Sequence, residues 1–183
     1  MRKLSMPELQ RLTIEEFKVA KKMPVVVVLD NIRSQNNIGS AFRTADAFRL
    51  SGVYLCGITA TPPHREIHKT ALGATDSVDW FYYSTTLDAV KYLSTMGYTI
   101  LAVEQTEGSI KLPDYLPPAG IKLALIFGNE VNGIADEVLP YVQGCIEIPQ
   151  FGTKHSINVS VAIGIVTWDL FGKMNNLENH CNP

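Results

Sequence analysis

The chain has 183 residues, with 16 basic and 18 acidic side chains and a formal net charge of -2. A chain of this size suits one domain, because folding at this length buries roughly 70% of the extended surface. With 46% hydrophobic and 19% charged residues the balance is that of a globular protein, which excludes collagen-like, low-complexity and disordered classes.

The longest apolar runs, such as Val25 to Leu29 and Ile163 to Val166, fall far short of the roughly 20 residues that span a bilayer. Met1-Arg2-Lys3 continues through Pro7, Glu8, Gln10 and Arg11 without an apolar signal region, so the expected location is the cytoplasm, with no membrane anchor. Cys56, Cys145 and Cys181 are odd in number and lack C-x-x-C spacing, which points to reduced structural thiols. Charge is unevenly spread: residues 1–69 carry +5 and residues 70–183 carry -7. Such a bias fits a polyanionic partner at the N-terminal third, and it equally fits solvated helix faces.

In chain order, Leu9, Leu12, Ile14, Phe17 and Ala20 approach helical spacing among Arg11, Lys18, Lys21 and Lys22, predicting a basic amphipathic helix over 1–22. Val25 to Leu29 is β-branched without polar alternation, as in a parallel strand buried on both faces, and Asp30 and Asn31 end it. Asn36 to Leu50 reads as a helix opened by asparagine caps. Strand-like runs recur at Val53 to Cys56, Val78 to Tyr82, Tyr98 to Val103, Leu123 to Phe127 and Cys145 to Ile148. Between them, helices are expected over Thr86 to Met96 and Ile134 to Val142, with a last helix from about Ser156 to Phe171 and a frayed tail over 175–183. The alternation predicts an α/β fold, a mostly parallel sheet flanked by helices, as one domain over 23–174. In such sheets ligands collect at the carboxyl ends of the strands.

Several fingerprints are missing. The sequence contains no G-x-G-x-x-G, no P-loop and no G-x-S-x-G, and a receiver-like site at Asp30 lacks its acidic neighbours and late lysine. His64-Arg65-Glu66-Ile67-His68 spaces two histidines one helical turn apart, but Glu66 sits at the wrong offset for H-E-x-x-H. Pro62 and Pro63 before it suggest a surface turn running into a helix start; metal binding is the alternative, and no metal is expected.

Three loops are denser in polar groups than capping requires. The first runs from Asn31 to Phe48 and holds Asn37 and Gly39, with Arg43 about two turns into a helix and able to fork onto phosphate. The second, Phe127-Gly128-Asn129-Glu130-Val131-Asn132-Gly133-Ile134, is a glycine-bracketed turn with an amide and a carboxylate. The third, from Ile146 through Pro149, Gly152 and Lys154 to Ser156, Asn158 and Ala162, leads from a strand into a helix. Taken singly, Asn37 and Ser156 read as caps, the glycines as turn residues and Glu130 as a surface acid.

Together, N-x-G-x-x-x-R-T-A, then F-G-N-E-x-x-G-I, then I-P-x-x-G-x-x-x-S-[LI]-N-V-S-V-A closely resembles the SpoU (TrmH) family of RNA ribose 2'-O-methyltransferases, from about Val25 to Phe171. The resemblance implies a SPOUT-class enzyme dependent on S-adenosyl-L-methionine, a deep C-terminal trefoil knot, and a homodimer with its active site near the subunit interface. It further implies catalytic roles for Arg43, Asn37, Glu130, Ser156 and Asn158, and cofactor contacts from Val103, Glu104, Gly128, Asn129, Ile148 and Ile157. Departures from the family pattern are Gln150, Ile157 and Arg49. The stretch Gly97 to Thr106, and Ile-Pro-Gln with Trp168, resemble the tRNA guanosine-18 branch, so a D-loop guanosine is the expected target and ribosomal RNA the alternative. A non-catalytic cofactor- or RNA-binding protein and a general nucleotide-binding module are the readings from other classes.

Overall fold

The computed structural model describes residues 1–5 and 7–181, with the side chains of Pro7 and of 176–181 left aside. Seven parallel strands form one sheet: β1 (Met23–Asp30), β2 (Leu50–Cys56), β3 (Trp80–Tyr83), β4 (Thr99–Val103), β5 (Ile110–Lys111), β6 (Leu123–Phe127) and β7 (Gly144–Glu147), in the order β3-β2-β1-β6-β4-β7-β5. The helices are α1 (Ile14–Val19), α2 (Gln35–Ala47), α3 (Arg65–Ala71), α4 (Ala74–Ser77), α5 (Thr86–Thr95) and α6 (Val159–Cys181).

The unbroken valine run follows from this layering. Val25, Val27 and Leu29 enter a core with Ile38, Phe42, Ile67, Ile163 and Val166, whereas Val26 and Val28 enter a second core with Ala89, Val90 and Leu93. With helices over both faces, alternate residues of β1 have no solvent side, and each buried valine contributes roughly 1.5–3 kcal/mol.

Four expectations are corrected. The N-terminal segment is not one helix: a 3-10 turn at Pro7–Leu9 is separated from α1, Gln10 takes a φ of 47°, and Thr13 starts α1 afresh through a capping box with Glu16. Over 134–142 there is no α-helix, only a 3-10 turn at Leu139–Tyr141. Pro140 has no N–H to give to a ladder and disfavours a helical residue before it; the Ala135 N–H, which a helix starting at 134 would leave unpaired in its first turn, donates to Asp30. The cap of α2 is Ser34, whose hydroxyl accepts from the Asn37 N–H, so neither Asn36 nor Asn37 caps it. Finally, α6 starts at Val159 and runs to Cys181, past the expected end at Phe171. Of the tail, residues 182 and 183 lie outside the described residues.

The end of β1 is a buried polar junction. Asp30, 1% exposed, accepts from the Asn31 amide (2.7 Å), the Thr86 hydroxyl at the start of α5 and the Ala135 N–H (2.8 Å). Asn31 takes a left-handed φ of 55°; its carbonyl accepts from Asn129 (2.7 Å) and its side-chain oxygen from the Ile58 N–H (3.1 Å). The adjoining Cys56 thiol is pushed up to about 12 by burial, with the Asp30 charge adding to the effect, and is an inert core group. Asp30→Ala leaves these donors without their acceptor in a site shut off from water, and is expected to destabilise the fold by about 3 kcal/mol. The check is urea denaturation, with hydrogen exchange rising first over 128–138.

Candidate active site

β4, β6 and β7 are neighbours in the sheet, so the loops leaving their carboxyl ends are forced together. They enclose a cleft of about 450 Å³. Its apolar walls come from Val103, Phe127, Ile146, Ile148, Ile157 and Ala162, and its carboxylates from Glu104, Glu130 and Glu147. A cavity of this size and mixed lining suits a small organic molecule that carries positive charge.

The second loop is folded by its own asparagine. The Asn129 side-chain oxygen accepts from the Val131 N–H (2.9 Å) and the Asn132 N–H (3.3 Å), while backbone bonds in both directions join Asn129 to Gly133 (2.9 Å each). Gly133 has a φ of 69° and lies against Glu104, and a Cβ on Gly128 would sit 2.2 Å from the Gly133 carbonyl carbon. Gly128 is therefore required by close backbone approach, and Gly133 by its left-handed φ and by the Glu104 carboxylate against it. The Asn129 side chain is used within the fold, leaving its backbone to line the cleft.

On the rim, two side-chain amides and a carboxylate from distant parts of the chain form a hydrogen-bonded row. Asn158 caps α6: its oxygen accepts from the Ser160 N–H (2.9 Å) and hydroxyl (2.6 Å). That fixes its NH2 towards Asn37, to whose oxygen it donates at 3.2 Å, and Asn37 in turn donates to the Glu130 carboxylate at 3.0 Å. The amide orientations follow from the helix cap, and the row of donors runs from Asn158 through Asn37 to Glu130.

The eleven residues singled out in the sequence divide as follows. Val103, Glu104, Gly128, Asn129, Ile148 and Ile157 all line the cleft, as do Glu130, Ser156 and Asn158, and Asn37 is bonded to two of these. Arg43 is elsewhere: six residues beyond Asn37 and so about 9 Å further along α2, it is exposed in a shallow groove with Ser40, Thr44, Lys69, Thr70 and Gly164. Cap readings of Asn37 and Ser156 do not hold, since Ser34 and Asn158 do that work. Sequence reasoning missed Gln105, Glu147 and His155 in the cleft, and the Asp30 junction behind it. For Asp30 the available signal was a carboxylate closing a strand otherwise apolar throughout. His64 is the cap of α3, its Nδ1 accepting from the Glu66 N–H at 3.3 Å. Among the described residues no group of three or more His, Cys, Asp or Glu side chains is placed to hold a metal, and no helix is long and apolar enough to cross a membrane.

Comparison with known proteins agrees with this geometry. A tRNA (guanosine(18)-2'-O)-methyltransferase of Thermus thermophilus is 29% identical over 167 residues, covering 88% of this chain and 81% of that protein. The 23S rRNA (guanosine-2'-O-)-methyltransferase RlmB of Nitrosomonas europaea is 29% identical over 162 residues, 87% of this chain and 60% of its own. The crystal structure of an AdoMet-bound rRNA methyltransferase from Sinorhizobium meliloti superposes with a TM-score of 0.75 at 27% identity, over 81% of this chain and 56% of that one. The chain thus spans less than two thirds of the length of several relatives, 64% of one from Staphylococcus saprophyticus. A family model described as the SpoU rRNA Methylase family matches residues 24–168, and the chain belongs to that family.

Proposed function

We propose that the protein is an S-adenosyl-L-methionine-dependent RNA ribose 2'-O-methyltransferase acting in the cytoplasm, with residues 23–174 as the catalytic domain and 1–22 as a basic RNA-facing segment. The observation that carries this reading is the cleft of three strand-end loops with the Asn158–Asn37–Glu130 chain on its rim. The residues present fit the cofactor. The close approach at Gly128 and Gly133 leaves a backbone-lined cradle, Ile148 and Ile157 offer apolar faces to an adenine, and Glu104, Glu130 and Glu147 complement a sulfonium and an ammonium. When bound, the cofactor supplies an electrophilic methyl group.

The chain's own residues then have to orient a ribose hydroxyl and stabilise it as its proton leaves. Orientation falls to Asn37, Asn158 and Ser156, with Glu130 holding Asn37. Arg43 binds the neighbouring phosphate and stabilises the developing alkoxide, since a guanidinium with a pKa above roughly 12 is a poor base. Arg43 lies outside the cleft of its own protomer, and this supports a homodimer in which a second copy contributes it. α6 leaves Val161, Ile165 and Trp168 exposed at helical spacing, and Trp168 packs with Phe48 (6.0 Å) and Phe171 (6.3 Å). Such a stripe beside Gly164 of the Arg43 groove suits a second copy.

The favoured substrate is tRNA, at the D-loop guanosine of position 18, on the resemblance of residues 97–106 and the Thermus relative. Ribosomal RNA is the second reading, favoured by the Nitrosomonas relative. Transfer of labelled methyl to unmodified tRNA and to ribosomal RNA fragments, with the modified position mapped, tests both. Label on a D-loop ribose is expected; label on ribosomal RNA alone overturns the substrate, and cofactor binding with no label on either overturns the activity. Arg43→Ala is expected to bind S-adenosylhomocysteine normally and to lose at least about 100-fold in turnover, as for loss of one transition-state donor. Normal turnover contradicts its assigned role.

A further inference from the structure

The histidine-containing motif at residues 64–68 has no part in the cleft, and it opens a helix with a markedly basic face. On α3, Ile67 and Ala71 are buried, while Arg65, His68 and Lys69 are exposed one turn apart. The Arg65 and Lys69 side chains are 94% and 74% accessible, each at 3.9 Å from Glu66, the outer limit of an ion pair. An exposed pair at that distance leaves both cations available to another anion. Lys69 shares its groove with Arg43, Ser40 and Thr44 of α2.

This face is rigidly registered to α2, the helix that carries both Asn37 and Arg43. Gly39 lets α2 and α3 meet so closely that a Cβ there would lie 2.5 Å from the Ile67 carbonyl oxygen, and the Thr70 hydroxyl donates to the Asn36 carbonyl (3.2 Å), next to Asn37. The opposing acids are Glu66 and Asp76, the latter in the hollow with His64, Arg65 and His68. Three permanent cations therefore outweigh two carboxylates on a surface that continues from the helix carrying Asn37.

We propose that Arg65 and Lys69 of α3, with Arg43 across the groove, form a track for the phosphodiester backbone of the substrate RNA, leading the strand to the catalytic centre to which Arg43 is contributed. The inference rests on the reading of the chain as an RNA methyltransferase. It uses three of the eleven basic side chains of residues 1–69, and it assigns the motif to phosphate binding.

The test is binding of an unmodified tRNA transcript to the full chain across 50–200 mM salt, for wild type, the double variant Arg65→Ala/Lys69→Ala and Glu66→Gln. The double variant is expected to bind about tenfold more weakly at low salt and to lose roughly 1.4 units of slope in log Kd against log salt, 0.7 for each single-strand phosphate contact. S-adenosylhomocysteine affinity and turnover at saturating RNA stay unchanged. Glu66→Gln removes the opposing carboxylate and is expected to tighten RNA binding about threefold, a gain that misfolding does not produce. RNA affinity and slope equal to wild type in the double variant overturn the track and leave the enzyme reading intact. So does a parallel loss of cofactor affinity, which would place the effect in the fold. A wild-type chain that neither binds nor methylates RNA overturns the functional reading, and the track with it.

Discussion

A carboxylate taken out of water must be answered by donors, and at the end of β1 the donors come from separate parts of the chain. Asp30 is met by its neighbour Asn31, by Thr86 at the head of α5 and by the N–H of Ala135 in the loop after β6. Because the group is 1% exposed, losing any of these partners costs more than a surface bond of the same length. The junction holds the loop after β6 against the loop after β1, and the cleft and its rim depend on that placement.

From there the architecture follows from strand direction. All the paired strands are parallel, so every strand-end loop lies on one side of the sheet, and the order β6-β4-β7 brings three of them together. Two glycines permit the contact: at Gly128 and Gly133 an added Cβ would meet backbone or the Glu104 carboxylate. The cap of α6 then orients Asn158, which orients Asn37, which faces Glu130. A helix start thus sets the polarity of the cleft's rim, whose members are 93 and 121 residues apart in sequence. Each of these bonds is exposed and individually weak, and the buried junction at Asp30 adds to the rim's order by holding the loop that carries Glu130.

Much of this was legible in the sequence, for identifiable reasons. Val25 to Leu29 has no polar alternation, and the two cores on either side of β1 are the cause. The glycine-bracketed turn at 128–133 and the polar run into α6 marked two walls of the cleft, and all six residues assigned to them and to the loop after Val103 line it. What was not legible depends on tertiary partners. The asparagine that reads as a cap at position 37 is displaced by Ser34, whereas the absence of a helix over 134–142 was signalled in the sequence by Pro140, which gives no N–H to a ladder. Arg43 sits in the same short motif as Asn37 but about 9 Å along the helix, and chain proximity carried no sign that the two face different grooves.

If the three loops form a cradle for S-adenosylmethionine, they also hold its demethylated product, S-adenosylhomocysteine. Calorimetric titration of the chain with S-adenosylhomocysteine, set beside adenosine triphosphate, tests it most directly. One S-adenosylhomocysteine is expected to bind per chain, with no comparable heat from the triphosphate and loss of binding in Gly128→Ala, whose Cβ would press on the Gly133 backbone. Tight triphosphate binding with no response to S-adenosylhomocysteine would contradict it.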